Sequence, residues 1–208
     1  PDQVQDNDTL RIQNLYAGLA GFYTIGGSNP DFNTFGEAIN AAVLGGLADS
    51  VTFNVRSDTF VEQVIIPEIP GTGPNRILTF QSESGDSTDV VWTFNATTSG
   101  TNYTINLNGA DYIRFKNLTL QSTGNTYGRI IRLENGATHN TFVGNRFQEL
   151  GNPSTNNSGM IYSPNSLDDF TLIEGNYFEG GQTAIEMYGV STSSREQGTI
   201  VRNNIFSQ

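Results

Sequence analysis

The chain has 208 residues, enough for one sizeable domain or two small ones with a real core. Asn, Thr and Gly at 23 each, with 16 Ser, make 85 of those residues, and such side chains favour turns, caps and extended chain, which excludes a helical bundle. Ten basic residues, of which only Lys116 is a lysine, stand against 21 acidic ones for a net charge of −11, which argues against nucleic acid or an anionic membrane surface as partner.

Residues 1–20 open with a polar stretch and read as a lead-in or linker. Pro1 is not an initiator methionine and no signal peptide follows it, so a processed or excised chain is expected. A short strand is expected at Phe22–Ile25, followed by the turn-rich GGSNP. One amphipathic helix of about ten residues, near 34–44, comes next. Thr34 and Glu37 fit a capping box, Phe35, Ala38, Ile39, Ala42 and Val43 form the apolar face, and Gly45-Gly46 supplies the stop.

After Leu47 short β segments alternate with turns. They are VTFNV (51–55), VEQVIIP (61–67), RILTFQS (76–82), VVWTF (90–94), YTINL (103–107) and YIRFKNLTLQ (112–121). The series continues with RIIRL (129–133), NTFVGNRF (140–147), MIY (160–162), DFTLIEGNYF (169–178), AIEMY (184–188) and GTIVRNNIF (198–206). Many short strands without helices fit a sandwich, a barrel or a solenoid, and an internal repeat decides among them. Asn145, Asn176 and Asn204 each precede a Phe by two residues in TFVGNRF, TLIEGNYF and TIVRNNIF. IRFKNLTL, with Asn117, reads as an earlier and more degenerate copy, so the four Asn are 28, 31 and 28 residues apart. A unit of ~28 residues holding two or three strands is one coil of a parallel β-helix, in which Asn amides ladder and Phe rings stack from coil to coil. The spacing variation is expected to bulge out at loops such as GNPSTNNSG (151–159). The expected fold is an all-β, right-handed single-stranded parallel β-helix spanning residues 21–208, with one N-terminal capping helix.

The stretches GFYTIGGSNPDFNTFGEAINAA, VTFNVRSDTFVEQVIIP, RILTFQSESGDSTDVVWTF and NYTINLNGADYIRFKNLTL resemble secreted β-helix proteins of Bacteroidetes. Members of that group are large surface proteins, usually exported by the type IX route. DFNTFGEAINAA also resembles the start of pectin-lyase-like and pectinesterase folds, in which a helix plugs the N-terminal end of the solenoid. The resemblance implies an extracellular or cell-surface setting, and the acidic, lysine-poor, Asn/Thr/Gly-rich composition leans the same way. Short Asp-Thr-Leu (8–10) and Asp-Ser-Val (49–51) stretches resemble the O-glycosylation acceptor of these bacteria.

Enzymes on this scaffold mostly act on acidic polysaccharides, which singles out four residues. Asp168-Asp169 is a tandem acidic pair of the kind polygalacturonases carry, without their Asn-Thr-Asp, Gly-His-Gly and Arg-Ile-Lys elements. Adjacent carboxylates do not face each other at the ~5–10 Å that acid–base work needs, and the pair reads as a turn. His139 is the sole histidine and has no nucleophile or second ligand at a recognisable spacing. Lys116, a possible lyase base, has no acidic cluster near it in sequence. SESGDSTD (82–89) is acid-rich enough to offer calcium its loop oxygens, but lacks the alternating rhythm of a calcium loop, and reads as solvated. With no cysteine, neither disulfides nor thiolate metal sites arise, and no apolar run approaches the ~20 residues of a membrane span.

No catalytic, cofactor or metal residues are therefore assigned. The leading expectation is a non-catalytic module of a large secreted or cell-surface adhesin, acting as a rigid spacer or as a surface for glycans or cells. Tyr103, Tyr112, Tyr127, Tyr162, Tyr177 and Tyr188 are the candidate stacking platforms. The alternatives are a lyase, esterase or hydrolase on uronate-containing glycans, and a homo-oligomeric protomer of a surface filament. A full repeat stands two residues before Gln208, so the solenoid is expected to continue past it.

Overall fold

The computed structural model describes residues 17–207. Its strands, numbered along the chain, build three parallel sheets. Sheet A holds β1 (Leu19–Ile25), β2 (Leu47–Val55), β5 (Leu78–Ser82), β8 (Ile113–Lys116), β11 (Thr141–Val143), β14 (Leu172–Glu174) and β17 (Ile200–Arg202). Sheet B holds β3 (Asp58–Val61), β6 (Val90–Phe94), β9 (Thr119–Ser122), β12 (Arg146–Glu149), β15 (Tyr177–Gly180) and β18 (Ile205–Ser207). Sheet C holds β4 (Val64–Pro67), β7 (Ile105–Asn108), β10 (Ile131–Glu134), β13 (Ile161–Ser163) and β16 (Ile185–Met187). The chain visits A, B and C in turn and then returns to A one layer higher, which is a parallel β-helix.

Several expected strands divide in two. VEQVIIP is β3 and β4, with Glu62-Gln63 turning the corner between sheets B and C. YIRFKNLTLQ, NTFVGNRF, DFTLIEGNYF and GTIVRNNIF each supply one strand to sheet A and one to sheet B. Hydrophobic patterning continues across such corners because both strands point alternate side chains into the same interior. β1 begins at Leu19, inside the expected lead-in, whose residues 1–16 lie outside the described residues.

The register also corrects the repeat. Thr119 pairs with Arg146, Arg146 with Tyr177, and Tyr177 with Ile205, which sets coils of 27, 31 and 28 residues. Leu118 is therefore the partner of Asn145, and Asn117 lies one position earlier, level with Gly144. Asn117, Gly144, Gly175 and Asn203 all adopt positive φ, between 54° and 66°. This left-handed corner is tolerated by Gly and Asn. A Cβ on Gly144 would also collide with the Asn117 side chain of the coil below. Asn145, Asn176 and Asn204 do different work, bonding from layer to layer just after the corner.

In-register stacking fills the interior. On sheet A, Phe53, Phe80, Phe115 and Phe142 stack with centroids 5.2, 5.6 and 5.4 Å apart. On sheet B, Phe147, Phe178 and Phe206 continue at 4.7 and 5.0 Å. The helix α1 (Phe35–Gly45) covers the N-terminal end of this core and packs on β1 and β4. Its buried Phe35 stacks on Trp92 at 3.5 Å and 13°. Thr34 caps it by accepting from the Glu37 N–H at 3.1 Å, while the Glu37 carboxylate reaches one residue further back than expected, to the Asn33 N–H at 2.7 Å. Glu62 of the next coil adds a cap that short-range reading missed, accepting from the Phe35 and Gly36 N–H groups at 3.1 Å each. Because Glu62 serves two of the free N–H groups and Thr34 one, Glu62→Ala should cost more than Thr34→Ala. The Thr34 cap is worth about 1 kcal/mol, and thermal denaturation of the two variants ranks them.

Candidate binding surface

The singled-out residues serve the solenoid's corners. Asp168 and Asp169 lie in the loop between β13 and β14, as the turn reading expects. Asp168 is fully buried and accepts from Ser163 Oγ at 2.6 Å, Ser166 Oγ at 2.9 Å and the Ala137 N–H at 2.8 Å. Burial pushes its carboxyl above the ordinary aspartate value, and the hydroxyl donors oppose that rise. Asp169 instead accepts from the Gln197 N–H at 2.7 Å. His139 occupies a left-handed corner (φ 57°), its ring stacked between Tyr112 at 4.7 Å and Phe170 at 4.8 Å. Lys116 is exposed at the end of β8, in the outer row where Gln81 and Val143 are its neighbours.

In the SESGDSTD loop, Asp86 accepts from both the N–H and the hydroxyl of Thr88 at 2.8 Å, and these bonds hold its carboxyl below the usual range. Asp89 accepts from Ser84 Oγ at 2.6 Å. Among the described residues no three His, Cys, Asp or Glu side chains cluster closely enough to hold a metal ion. Ser50 is exposed, and its hydroxyl is tied to the Asn75 carbonyl and the Ile77 N–H. Thr9 lies outside the described residues.

The tyrosines sort by sheet. Tyr103 is buried, Tyr112 is taken up by His139, and Tyr177 lies under the Arg146 guanidinium at 5.1 Å. Tyr162 and Tyr188 lie on the outer side of sheet C, where a polar strip assembles. Pairing places Ile65, Asn106, Arg132, Tyr162 and Glu186 in one row across β4, β7, β10, β13 and β16. Glu134 accepts from Asn106 Nδ2 and pairs with Arg132 Nη2, both at 2.7 Å. Arg129 lays its guanidinium 3.4 Å over the Tyr162 ring, and Tyr188 Oη donates to Glu186 Oε1 at 2.6 Å.

Three buried polar atoms of this row, Asn106 Oδ1, Arg132 Nε and Glu186 Oε2, have no partner. They are closed off from solvent, so they cost the fold stability rather than offering contacts to a surface ligand. Two guanidinium groups, Arg129 and Arg132, stand here against two carboxylates, Glu134 and Glu186. The strip is thus locally balanced on an acidic chain. Beside it, the loops leading into β7 and β10 form an open cleft of about 440 Å³ lined by Asn95, Ala96, Thr97, Asn125, Thr126 and Tyr127. Its lining is uncharged amides, hydroxyls and one ring. Sequence reading listed the tyrosines but not this row, whose members come from five separate coils.

The strand order and the strip define a parallel β-helix with a polar, aromatic outer face. No family model matches the chain, and no curated protein does either. Among solved structures it is similar to a pectin methylesterase from Aspergillus niger in a deglycosylated form. The identity is 16% and the TM-score 0.39, over 94% of this chain and 78% of that one. The same enzyme in a penultimately deglycosylated form gives the same values.

Proposed function

We propose that this chain is a non-catalytic β-helix module of a secreted or cell-surface protein, a stiff spacer whose sheet C face binds glycans. The locally balanced strip, with the Arg129 guanidinium over Tyr162 and the exposed ring of Tyr188, carries this reading. A sugar ring stacks on an exposed aromatic face such as that of Tyr188, while the neighbouring Tyr188 hydroxyl and Glu186 carboxylate offer polar partners to its hydroxyls. Local neutrality removes the repulsion an acidic glycan meets elsewhere on a chain of net charge −11. Export by the type IX route and an adhesin parent belong to the same proposal and rest on the sequence resemblance.

Calorimetric titration with neutral and uronate oligosaccharides tests it. Binding should weaken about tenfold or more in Tyr188→Ala, which removes the exposed ring of the strip, and stay unchanged in Lys116→Ala on sheet A. Turnover of pectin, alginate or polygalacturonate, with or without calcium, would move the assignment to an enzyme.

A further inference from the structure

Ser163 Oγ lies between two carboxylates, 2.6 Å from Asp168 Oδ2 and 2.9 Å from Glu196 Oε1. A hydroxyl has one proton, and an ionised carboxylate has none. If both acids were ionised, only one of these contacts would be a hydrogen bond, and the other would set lone pairs of oxygen against each other. The pair must therefore hold one proton between them, so that one carboxyl donates to Ser163 Oγ while Ser163 donates to the other.

The surroundings favour this. Asp168 is fully buried, and Glu196 Oε2 is buried without a partner. Desolvation raises the proton affinity of both groups. The titratable groups bearing on Glu196 are Asp168 and Asp169 of the β13–β14 loop, and both disfavour a second negative charge. Arg195, its chain neighbour, turns its Nε to the Thr192 carbonyl at 2.8 Å. His139, whose N–H bonds the Asp169 carbonyl, turns its ring to Tyr112 and Phe170. None of the four ion pairs among the described residues involves Asp168 or Glu196.

Glu196 is on the long loop between β16 and β17, an exposed excursion that closes on itself through Ser191 and Ser194. Val190, Ser191, Thr192, Ser193 and Arg195 face solvent. Glu196 turns back into the solenoid, where Oε1 also accepts from the Asp168 N–H at 3.2 Å. The geometry points to a proton-operated latch: the Asp168–Ser163–Glu196 cluster holds this loop closed while it carries one proton and releases it when that proton leaves. Loss of the proton to water leaves two anions facing one hydroxyl, and Glu196 is the partner able to swing out. The closed state is accordingly present at low pH and lost as pH rises through the pair's apparent titration. The loop borders the sheet C strip at Glu186 and Tyr188, so its release would change access to that face.

Hydrogen exchange of residues 188–199 in the whole chain, corrected for intrinsic rates, reads the latch directly. Protection should fall about tenfold from acidic to alkaline pH, while the fluorescence of buried Trp92 shows the solenoid intact. Glu196→Gln, neutral at every pH and still able to donate to Ser163 Oγ, should keep the loop protected across that range. Ser163→Ala, with no hydroxyl to bridge the acids, should leave it poorly protected throughout. Protection that does not change with pH in the native chain would overturn the latch. So would a Glu196→Gln chain that follows the native pH curve or stays open at every pH, or a Trp92 signal that moves with the loop.

Discussion

Asn176→Ala should lower the stability of the solenoid by about 3–6 kcal/mol, a large share of what a domain of this kind has to lose. Asn176 Oδ1 accepts from the Asn145 N–H at 2.9 Å and from Asn145 Nδ2 at 3.2 Å. Its Nδ2 donates to the Phe142 carbonyl at 2.9 Å and to Asn204 Oδ1 at 3.0 Å. Asn176 is 1% exposed, so truncation leaves a backbone N–H of one coil and a carbonyl of the same coil buried and unpaired, at about 1–3 kcal/mol each, and breaks the side-chain ladder in both directions. Asn117→Ala should cost only about 1 kcal/mol, because that residue answers the left-handed corner rather than the ladder. Urea denaturation of the two variants measures both. Equal losses at 117 and 176 would mean that the ladder adds nothing beyond corner conformation.

Stability of the native chain should fall on the order of 3 kcal/mol between about pH 4.5 and about pH 7 because of Glu149, and Glu149→Gln should remove that part of the slope. Glu149 closes β12, is 2% exposed, and finds one donor, Ser158 Oγ, within 3.1 Å of both its oxygens. Burial raises its carboxyl from 4.5 to about 7, and the Ser158 bond only partly offsets the rise. The unfolded chain gives up this proton near 4.5, while the folded chain holds it to about 7. The contribution to folding is therefore fully present below about 4.5 and is lost as pH rises through about 7. Growing negative charge on the whole chain bends the curve the same way, so the difference between native and Glu149→Gln chains is the quantity to read. Denaturant titrations followed by Trp92 emission at both ends of the range supply it. A Glu149→Gln chain as pH-sensitive as the native one would show that the carboxyl is ionised in the fold.

The ladder Asn residues were visible because three coils repeat them in nearly identical words, TFVGNRF, TLIEGNYF and TIVRNNIF. The corner in IRFKNLTL was misaligned by one residue, since Asn serves both a left-handed corner and a ladder and only strand pairing separates the two. Asn140 makes a similar bridge at another corner, accepting from the Ile113 N–H at 2.9 Å and donating to the Ala110 carbonyl at 2.8 Å. Nothing marked it in advance, because its register neighbours are Ile113 and Thr171. Glu196 was equally hidden, since its partners Ser163 and Asp168 are 33 and 28 residues away in a coil with no matching words.

What the sequence by itself determined is the architecture. Local periodicity, a capping box and a repeat of about one coil carry the secondary structure and the direction of stacking, because a solenoid's contacts are made by neighbouring copies of one pattern. The chemistry of the surface was decided only by the tertiary structure. The sheet C row joins Asn106, Arg132, Tyr162 and Glu186 from successive coils of unequal length, and a shift of one residue would turn every one of them inward. The burial that raises the proton affinity of Glu149, Asp168 and Glu196 likewise depends on which layers close over them, and no short stretch of sequence records that.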